Sequence, residues 1–158
     1  MPLQGSIRVP SDKSISHRAV LFSALAAGRS PLRALLPSAD VLSSLAAVEQ
    51  LGAVVERSQG ANGIDAAITG FGGQPVRGQQ LRLDCGNSGT TTRLLMGLVC
   101  GLGVDAVLFG DESLSSRPMG RVIEPLSAMG ARIEAQGGTL PAHVLPAFGV
   151  PVEVDGLT

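Results

Sequence analysis

Two stretches of the chain decide its fold: SISHRAVLFSALAAG at Ser14–Gly28 and SGTTTRLLMGLVCG at Ser88–Gly101. Each opens with hydroxyl-bearing residues, continues with an apolar body and closes on a glycine. Serine and threonine favour the N-cap of a helix, and glycine favours its C-terminal end. The two stretches therefore predict two helices of the same design, over Ser14–Ala27 and Ser88–Cys100.

The segments that follow these two helices also match one another. Each helix is followed by a strand-like run, a second helix and a near-identical phrase, LGAVVE at Leu51–Glu56 and MGARIE at Met129–Glu134. The two phrases are 78 residues apart, close to the 75 residues that separate Arg18 from Arg93. The shared order and spacing predict an internal duplication.

The duplicated unit has the predicted order β-α-β-α-β-β, which gives a mixed α/β (α+β) fold with two units present. We expect the first unit over residues 13–83 and the second over 84–158. The further predicted elements are, in chain order, the strand Ser30–Leu36, the helix Asp40–Leu51, the strands Ala66–Thr69 and Val104–Phe109, the helix Met119–Met129 and the strand Leu140–Leu145.

The N-terminal run LQGSIRV at Leu3–Val9 alternates between apolar and polar residues, which predicts a strand. It has no counterpart in the second unit, so we expect residues 1–12 to belong to another domain. Units of this kind bury their helices against further copies. The chain is therefore expected to be an incomplete part of a larger architecture, with a third unit and a partner domain absent.

Composition excludes several classes of function. The 158 residues carry a net charge of −1 and contain four Phe but no Trp or Tyr, which leaves neither a basic patch nor stacking platforms for nucleic acid. Cys85 and Cys100 do not have metal-site spacing. Glycine, serine or arginine interrupts each apolar run before the roughly 18 residues that a membrane span needs. We expect a cytoplasmic protein without metal, membrane or nucleic-acid binding.

The first candidate site is the helix start PSDKSISHR at Pro10–Arg18. Eleven of the twelve basic residues are arginine, and the single lysine, Lys13, indicates a position that requires a compact ammonium group. Ser14 and Arg18 lie four residues apart and share one helical face. Because helix N-termini favour anions, this segment is predicted to bind one, with Asp40 as a partner that orients the lysine.

The second candidate site is DCGNSGTTTR at Asp84–Arg93. Its glycines allow a ligand to approach the backbone, and its Asn, three Thr and Arg exceed what a simple turn requires. It lacks the G-x-x-x-x-G-K-[ST] pattern, which excludes an ATPase or GTPase loop. A third cluster, SSRPMGR at Ser115–Arg121, places Arg117 before Pro118 at a predicted helix start. His17 is predicted to be structural rather than a ligand.

Three phrases together, PSDKSISHRA, LDCGNSGTTTRLLMG and DESLSSRPMGR, resemble the motifs of the 5-enolpyruvylshikimate-3-phosphate synthase family. The resemblance covers essentially the whole chain. It implies the inside-out α/β barrel of the enolpyruvyl transferases, in which two domains of three units bind ligands in the cleft between them. It also implies transfer of the enolpyruvyl group of phosphoenolpyruvate to the 5-hydroxyl of shikimate 3-phosphate, on the pathway to chorismate and the aromatic amino acids, without a cofactor.

The resemblance also assigns roles to residues. It implies that Lys13 contacts phosphoenolpyruvate and the reacting hydroxyl, while Ser14 and Arg18 hold shikimate 3-phosphate. Glyphosate, an inhibitor of the family, is expected to compete near Gly89. The implied phosphoenolpyruvate pocket comprises Asn87, Gly89, Thr90 and Arg117, with Ser88, Arg93 and Asp40 in support.

The family's acid–base residues are implied to follow Thr158, so the chain is expected to be inactive without the missing C-terminal part. The related UDP-N-acetylglucosamine enolpyruvyl transferases carry a reactive cysteine where this chain has DESLSSR at Asp111–Arg117, which disfavours that alternative. Two others stay open. One alternative to an enzyme fragment is a separate module that binds phosphorylated metabolites, and the other is a piece that complements a separately encoded C-terminal half.

Overall fold

A computed structural model describes residues 4–7 and 9–147 of the chain. The helices of this part are α1 Lys13–Leu25, α2 Ala39–Gln50, α3 Gly89–Leu102, α4 Glu112–Ser115 and α5 Gly120–Ala128. Its strands are β1 Ala27–Leu35, β2 Val54–Gly60, β3 Gly63–Phe71, β4 Leu81–Asp84, β5 Ala106–Phe109, β6 Arg132–Ala135 and β7 Ala142–Leu145. The four long predicted helices are confirmed to within a few residues, whereas the short α4 was not predicted.

The helix ends show the capping chemistry that the sequence indicates, with some changes of position. Asp12, rather than the serine that follows Lys13, caps α1, and its carboxylate accepts the backbone N–H of Ile15 at 2.7 Å. Ser88 caps α3. The α3 helix runs past the expected glycine and ends at Gly103, whose φ of 63° is the left-handed conformation that glycine tolerates.

The strands form two sheets that repeat one order. The first sheet has the order β1-β3-β2 and is antiparallel throughout. The second has the order β4-β5-β7-β6, in which β5-β7-β6 is antiparallel and β4 pairs in parallel with β5. Strands β5, β7 and β6 therefore correspond to β1, β3 and β2. The mixed α/β fold is confirmed, and the unit boundary at 83/84 stays a prediction.

The N-terminal segment was predicted to form a strand that belongs to another domain, and this stays a prediction. Residues 4–7 and Val9 are not in a strand, and the side chains of Ile7 and Val9 are 88% and 70% exposed. Leu3 and Arg8 lie outside the described residues. A strand requires a partner edge, and none of the described strands pairs with this segment.

One hydrophobic core joins the two sheets through the helices. Helices α1 and α2 pack together beside the first sheet, and α3 packs against α2 and the second sheet. Truncating one of the buried leucines to alanine is expected to cost about 2–5 kcal/mol. The largest fully buried apolar side chains are Leu45, Leu51, Ile68, Leu83, Leu95, Met96, Leu108, Leu114 and Met119.

Membrane spans and metal clusters were sought in the same residues. None of the described helices is long and apolar enough to cross a bilayer. Across residues 4–7 and 9–147 there is also no group of three or more His, Cys, Asp or Glu side chains placed to hold a metal ion.

Candidate functional site

The start of α1 presents a cationic surface. The Lys13 ammonium lies 2.7 Å from Asp40 Oδ2 at the start of α2, and the side chains of the two residues are 49% and 24% exposed. Ser14 and Arg18 are exposed on the same helix. Within the described part of the chain, Arg18 makes no ion pair. The lysine is thus held from one side, and the other two side chains are available to a ligand.

The loop between β4 and α3 is held by close backbone contacts. The Cys85 N–H donates to the carbonyl of Phe109 at 2.8 Å, and Asp84 Oδ1 accepts the N–H of Gly86 at 2.8 Å. Gly86 has a φ of 56°, and a methyl group placed on it would lie 2.9 Å from Ser43 Oγ. Glycine is required here both by the backbone and by the approach of α2.

Asn87 and Arg117 are in direct contact. The Arg117 guanidinium donates to Asn87 Oδ1 at 2.5 Å and to the Asn87 carbonyl at 3.3 Å, and it also reaches Ser113 Oγ. Asn87 Nδ2 donates in turn to Asp111 Oδ2 at 2.7 Å. The structure therefore brings together the second and third predicted clusters.

The sequence prediction did not include Asp111. Its carboxylate caps α4 by accepting the Leu114 N–H at 2.7 Å. The hydrogen bond from Asn87, followed by that from Leu114, holds the pKa of Asp111 below its ordinary value. The signal that could have identified it is the pair Asp111-Glu112, because aspartate favours the N-cap and acidic residues favour the first turn of a helix.

Two guanidinium groups converge on Gly89, the first residue of α3. A methyl group placed on this buried glycine would lie 2.7 Å from Arg93 Nη1 and 3.5 Å from Arg117 Nη1. Thr90, half-buried, occupies the same first turn. Two like charges that meet at a helix N-terminus repel each other and attract an anion. The geometry can therefore hold a phosphate or carboxylate against the backbone.

A buried chain of hydrogen bonds connects the two helix starts. His17 Nδ1 lies 2.8 Å from Ser44 Oγ, and Ser44 Oγ lies 2.9 Å from Thr91 Oγ1. The Thr91 hydroxyl is 2.8 Å from Ser88 Oγ, the cap of α3. All four side chains are buried. The sequence prediction included Thr91 in its second candidate segment but did not include Ser44, since the contact between them depends on how the helices pack.

His17 is a structural residue, as the sequence predicts. Burial is the largest cause that lowers its pKa; the charge of Asp40 opposes this, and the charges of Lys13 and Arg18 lower the pKa by smaller amounts. Its Nε2 has no hydrogen-bond partner among the described residues. We assign the proton to Nδ1, because a bare lone pair at Nε2 costs less to bury than an unpaired N–H.

The clusters form one continuous set of contacts. The Thr91 hydroxyl also lies 3.2 Å from the backbone carbonyl of Asp40, whose carboxylate holds Lys13. These contacts join the start of α3 to the residue whose carboxylate holds the lysine. The contacts run from Lys13 through Asp40 and Thr91 to the loop that carries Asn87 and, beyond it, Arg117.

Neither cysteine is placed to act as a nucleophile. Burial raises the pKa of Cys85 to about 11 and that of Cys100 to about 11. Both thiols are buried and remain protonated at neutral pH. Cys85 is therefore a packing residue, although it lies two positions before Asn87.

Comparison with known proteins gives one consistent result. The family model of EPSP synthase (3-phosphoshikimate 1-carboxyvinyltransferase) matches residues 1–156. A 3-phosphoshikimate 1-carboxyvinyltransferase of Novosphingobium aromaticivorans is 50% identical over 156 residues, which cover 96% of this chain and 34% of the relative. The corresponding Sphingopyxis alaskensis protein is 51% identical over 146 residues, covering 92% of this chain and 32% of its own.

A solved structure agrees with these relatives. The EPSP synthase of Acinetobacter baumannii superposes with a TM-score of 0.77 at 38% identity, over 89% of this chain and 32% of the solved one. The chain spans about a third of the length of the curated relatives that it matches.

Proposed function

The chain belongs to the EPSP synthase family, and from that premise we propose that it serves the transfer of the enolpyruvyl group of phosphoenolpyruvate to the 5-hydroxyl of shikimate 3-phosphate. Phosphate is the second product, and the reaction leads towards aromatic amino acids. The observation that carries the proposal is the convergence of Arg93 and Arg117 on Gly89, in contact through buried side chains with Lys13. Both proposed substrates are phosphorylated, which fits this concentration of cations.

Phosphoenolpyruvate is proposed to occupy the start of α3. Arg117 offers a planar guanidinium group that pairs with a carboxylate or phosphate, and Gly89 has no side chain to keep Arg93 and Arg117 away from the start of α3. Asn87 and Thr90 flank this position. Glyphosate, itself an anion, is proposed to compete at the same place.

Shikimate 3-phosphate is proposed to lie against α1. Ser14 and Arg18 are exposed there, and their spacing lets both contact one phosphate. Lys13 stands between the two proposed ligands, where its compact ammonium can stabilise charge that develops on the tetrahedral intermediate. Asp40 orients that ammonium. The groups that move protons are proposed to lie in the part of the relatives that this chain does not share.

The proposal can be tested by reconstitution. The 158-residue chain is mixed with a polypeptide that carries the remaining two thirds of the Novosphingobium aromaticivorans relative, and phosphate release is followed with both substrates present. We expect release only in the mixture and only with both substrates. If the chain binds neither substrate at millimolar concentration and the mixture is inactive, the proposal is wrong.

The same experiment distinguishes a second function, a separate binding module for phosphorylated metabolites. This alternative predicts tight binding by the chain alone, with no phosphate release in the mixture. Calorimetry on the chain alone, with each substrate and with inorganic phosphate, supplies the binding measurement.

A further inference from the structure

We propose that Asp111 is a positioning residue that fixes the orientation of the Asn87 carboxamide and, through it, the guanidinium of Arg117. The inference rests on the proposed function, because the effect that we expect is on phosphoenolpyruvate. Asp111 itself is not required to touch the ligand.

The chemistry of the three groups allows one arrangement. A carboxylate only accepts hydrogen bonds and a guanidinium only donates them, whereas a carboxamide has one end of each kind. Asn87 lies between the two, with Nδ2 on Asp111 and Oδ1 on Arg117. A flipped carboxamide would turn its donor end towards Arg117 and its acceptor end towards Asp111, and both contacts would be repulsive. Asp111 therefore selects the orientation that Arg117 needs.

Asp111 is itself fixed on the loop that carries Asn87. Its backbone N–H donates to the Gly86 carbonyl at 2.9 Å, and its Oδ1 accepts the Leu114 N–H. The preceding residue, Gly110, permits this approach, since a methyl group placed there would lie 2.5 Å from the Gly86 carbonyl oxygen. The carboxylate is an acceptor at neutral pH, and the hydrogen bonds from Asn87 and Leu114 lower its pKa further.

Arg117 depends strongly on Asn87 for its position. Its guanidinium makes three hydrogen bonds within the described residues: one to the Asn87 side chain, one to the Asn87 backbone and one to Ser113. The side-chain contact is the only one of the three that a rotated carboxamide removes. Release of the guanidinium would raise the entropic cost of binding an anion.

The substitution Asp111→Asn tests this role with little change in shape. Asparagine is also a good N-cap, so the bond to Leu114 can persist, but its side chain no longer only accepts hydrogen bonds. We expect the Kd for phosphoenolpyruvate, measured by NMR titration of the 158-residue chain, to rise about tenfold, the scale of one hydrogen bond to a charged group. The Kd for shikimate 3-phosphate should stay within about twofold, since it binds away from Arg117. Equal weakening of both ligands would indicate a merely structural role and overturn the inference.

A double-mutant cycle shows whether Asp111 acts through Asn87. In an Asn87→Ala background, Asp111→Asn should have no further effect on phosphoenolpyruvate binding. The matched control is Glu112→Gln, which removes a neighbouring exposed negative charge and should leave the affinity unchanged. An additive effect in the cycle, or an equal effect of the control, would show that only local charge matters.

A readout without ligand separates this inference from the proposed function. In the unliganded chain, the side-chain amide protons of Asn87 should be protected from hydrogen exchange, and Asp111→Asn should abolish that protection. If the wild-type chain binds neither substrate and the reconstituted mixture is inactive, the proposed function fails, and this measurement alone decides the inference. Unprotected Asn87 protons in the wild-type chain would refute it.

Discussion

The two helix starts of the duplicated fold are built differently. At α3, Asn87 and Arg117 are held in place before any ligand arrives. At α1, Lys13 has one ion pair, and Ser14 and Arg18 are exposed. The proposed phosphoenolpyruvate position is thus held by more contacts among the described residues than the proposed shikimate 3-phosphate position, so its side chains should lose less entropy on binding.

The strands before the helices explain this difference. Strand β4 pairs in parallel with β5 and leads directly into the loop before α3, so the loop is anchored at both ends. The described residues before α1, by contrast, are exposed and outside any strand. A loop that follows a paired strand has fewer accessible conformations, and its contacts therefore cost less to form.

The largest effect is expected from Lys13→Arg, which changes the single lysine, at the start of α1. Charge is retained, but a guanidinium cannot replace a compact ammonium between two ligands. We expect kcat for phosphate release in the reconstituted mixture to fall by about 10²–10³-fold, as for removal of a donor to a developing anion. Arg29→Lys, in an exposed ion pair with Glu56, is the control and should be neutral. A near-normal rate for Lys13→Arg would show that charge alone suffices.

Sequence reasoning gave the helices because capping and hydrophobic periodicity are local. Asp12, Ser88 and Gly103 act within one turn of the helix ends that they define. The strand predicted at Leu3–Val9 stays a prediction, because pairing depends on a partner that alternation alone does not reveal.

The site was predictable in its charges but not in its connections. The motifs indicated Lys13, Arg93 and Arg117, because basic side chains near a helix N-terminus are typical of anion-binding sites. They did not indicate Ser44 or Asp111, which act through contacts between elements more than 20 residues apart in the chain. Such contacts depend on how the helices pack, and a single sequence does not encode that packing in any local pattern.

Ser44→Ala removes the hydroxyl that connects His17 on α1 to Thr91 on α3. The substitution leaves His17 Nδ1 and the Thr91 hydroxyl buried with fewer partners, and we expect the free energy of unfolding to fall by about 1–3 kcal/mol. Urea unfolding measures it. The neighbouring Ser43→Ala should stay within about 0.5 kcal/mol, because Ser43 bonds only to its own helix. Equal stability of the two variants would show that the buried link does not contribute.

A smaller effect is expected from Gly89→Ala at the start of α3. The added methyl meets the far ends of Arg93 and Arg117, which can move, so the fold should survive. We expect phosphoenolpyruvate affinity to fall about tenfold through displacement of these cations, and glyphosate inhibition of the reconstituted mixture to weaken further. Gly97→Ala on the same helix has open space and is the control. Unchanged phosphoenolpyruvate affinity in Gly89→Ala would contradict a pocket at this position.

The smallest effect is a pH dependence of stability from His17. Because burial lowers its pKa below the ordinary value of 6.5, the unfolded chain takes up a proton first as the pH falls. Stability should therefore be intact above about pH 6.5 and decline below it, down to the pKa of the folded state. Urea unfolding midpoints at several pH values measure this decline. His17→Asn should flatten the dependence of the midpoint on pH. The control His143→Asn should retain the contribution of His17. An unchanged profile in His17→Asn would exclude this residue as the cause.

The two buried thiols can report how often the structure around them opens. Cys85 lies at the base of the loop before α3, and Cys100 lies in the last turns of that helix. Reagents that attack thiolates cannot reach either one until the surrounding structure opens, so the rate of modification counts opening events. Faster modification of Cys85 than of Cys100 would show that the loop opens independently of the helix. Equal rates would show that the loop and the helix open as one cooperative unit.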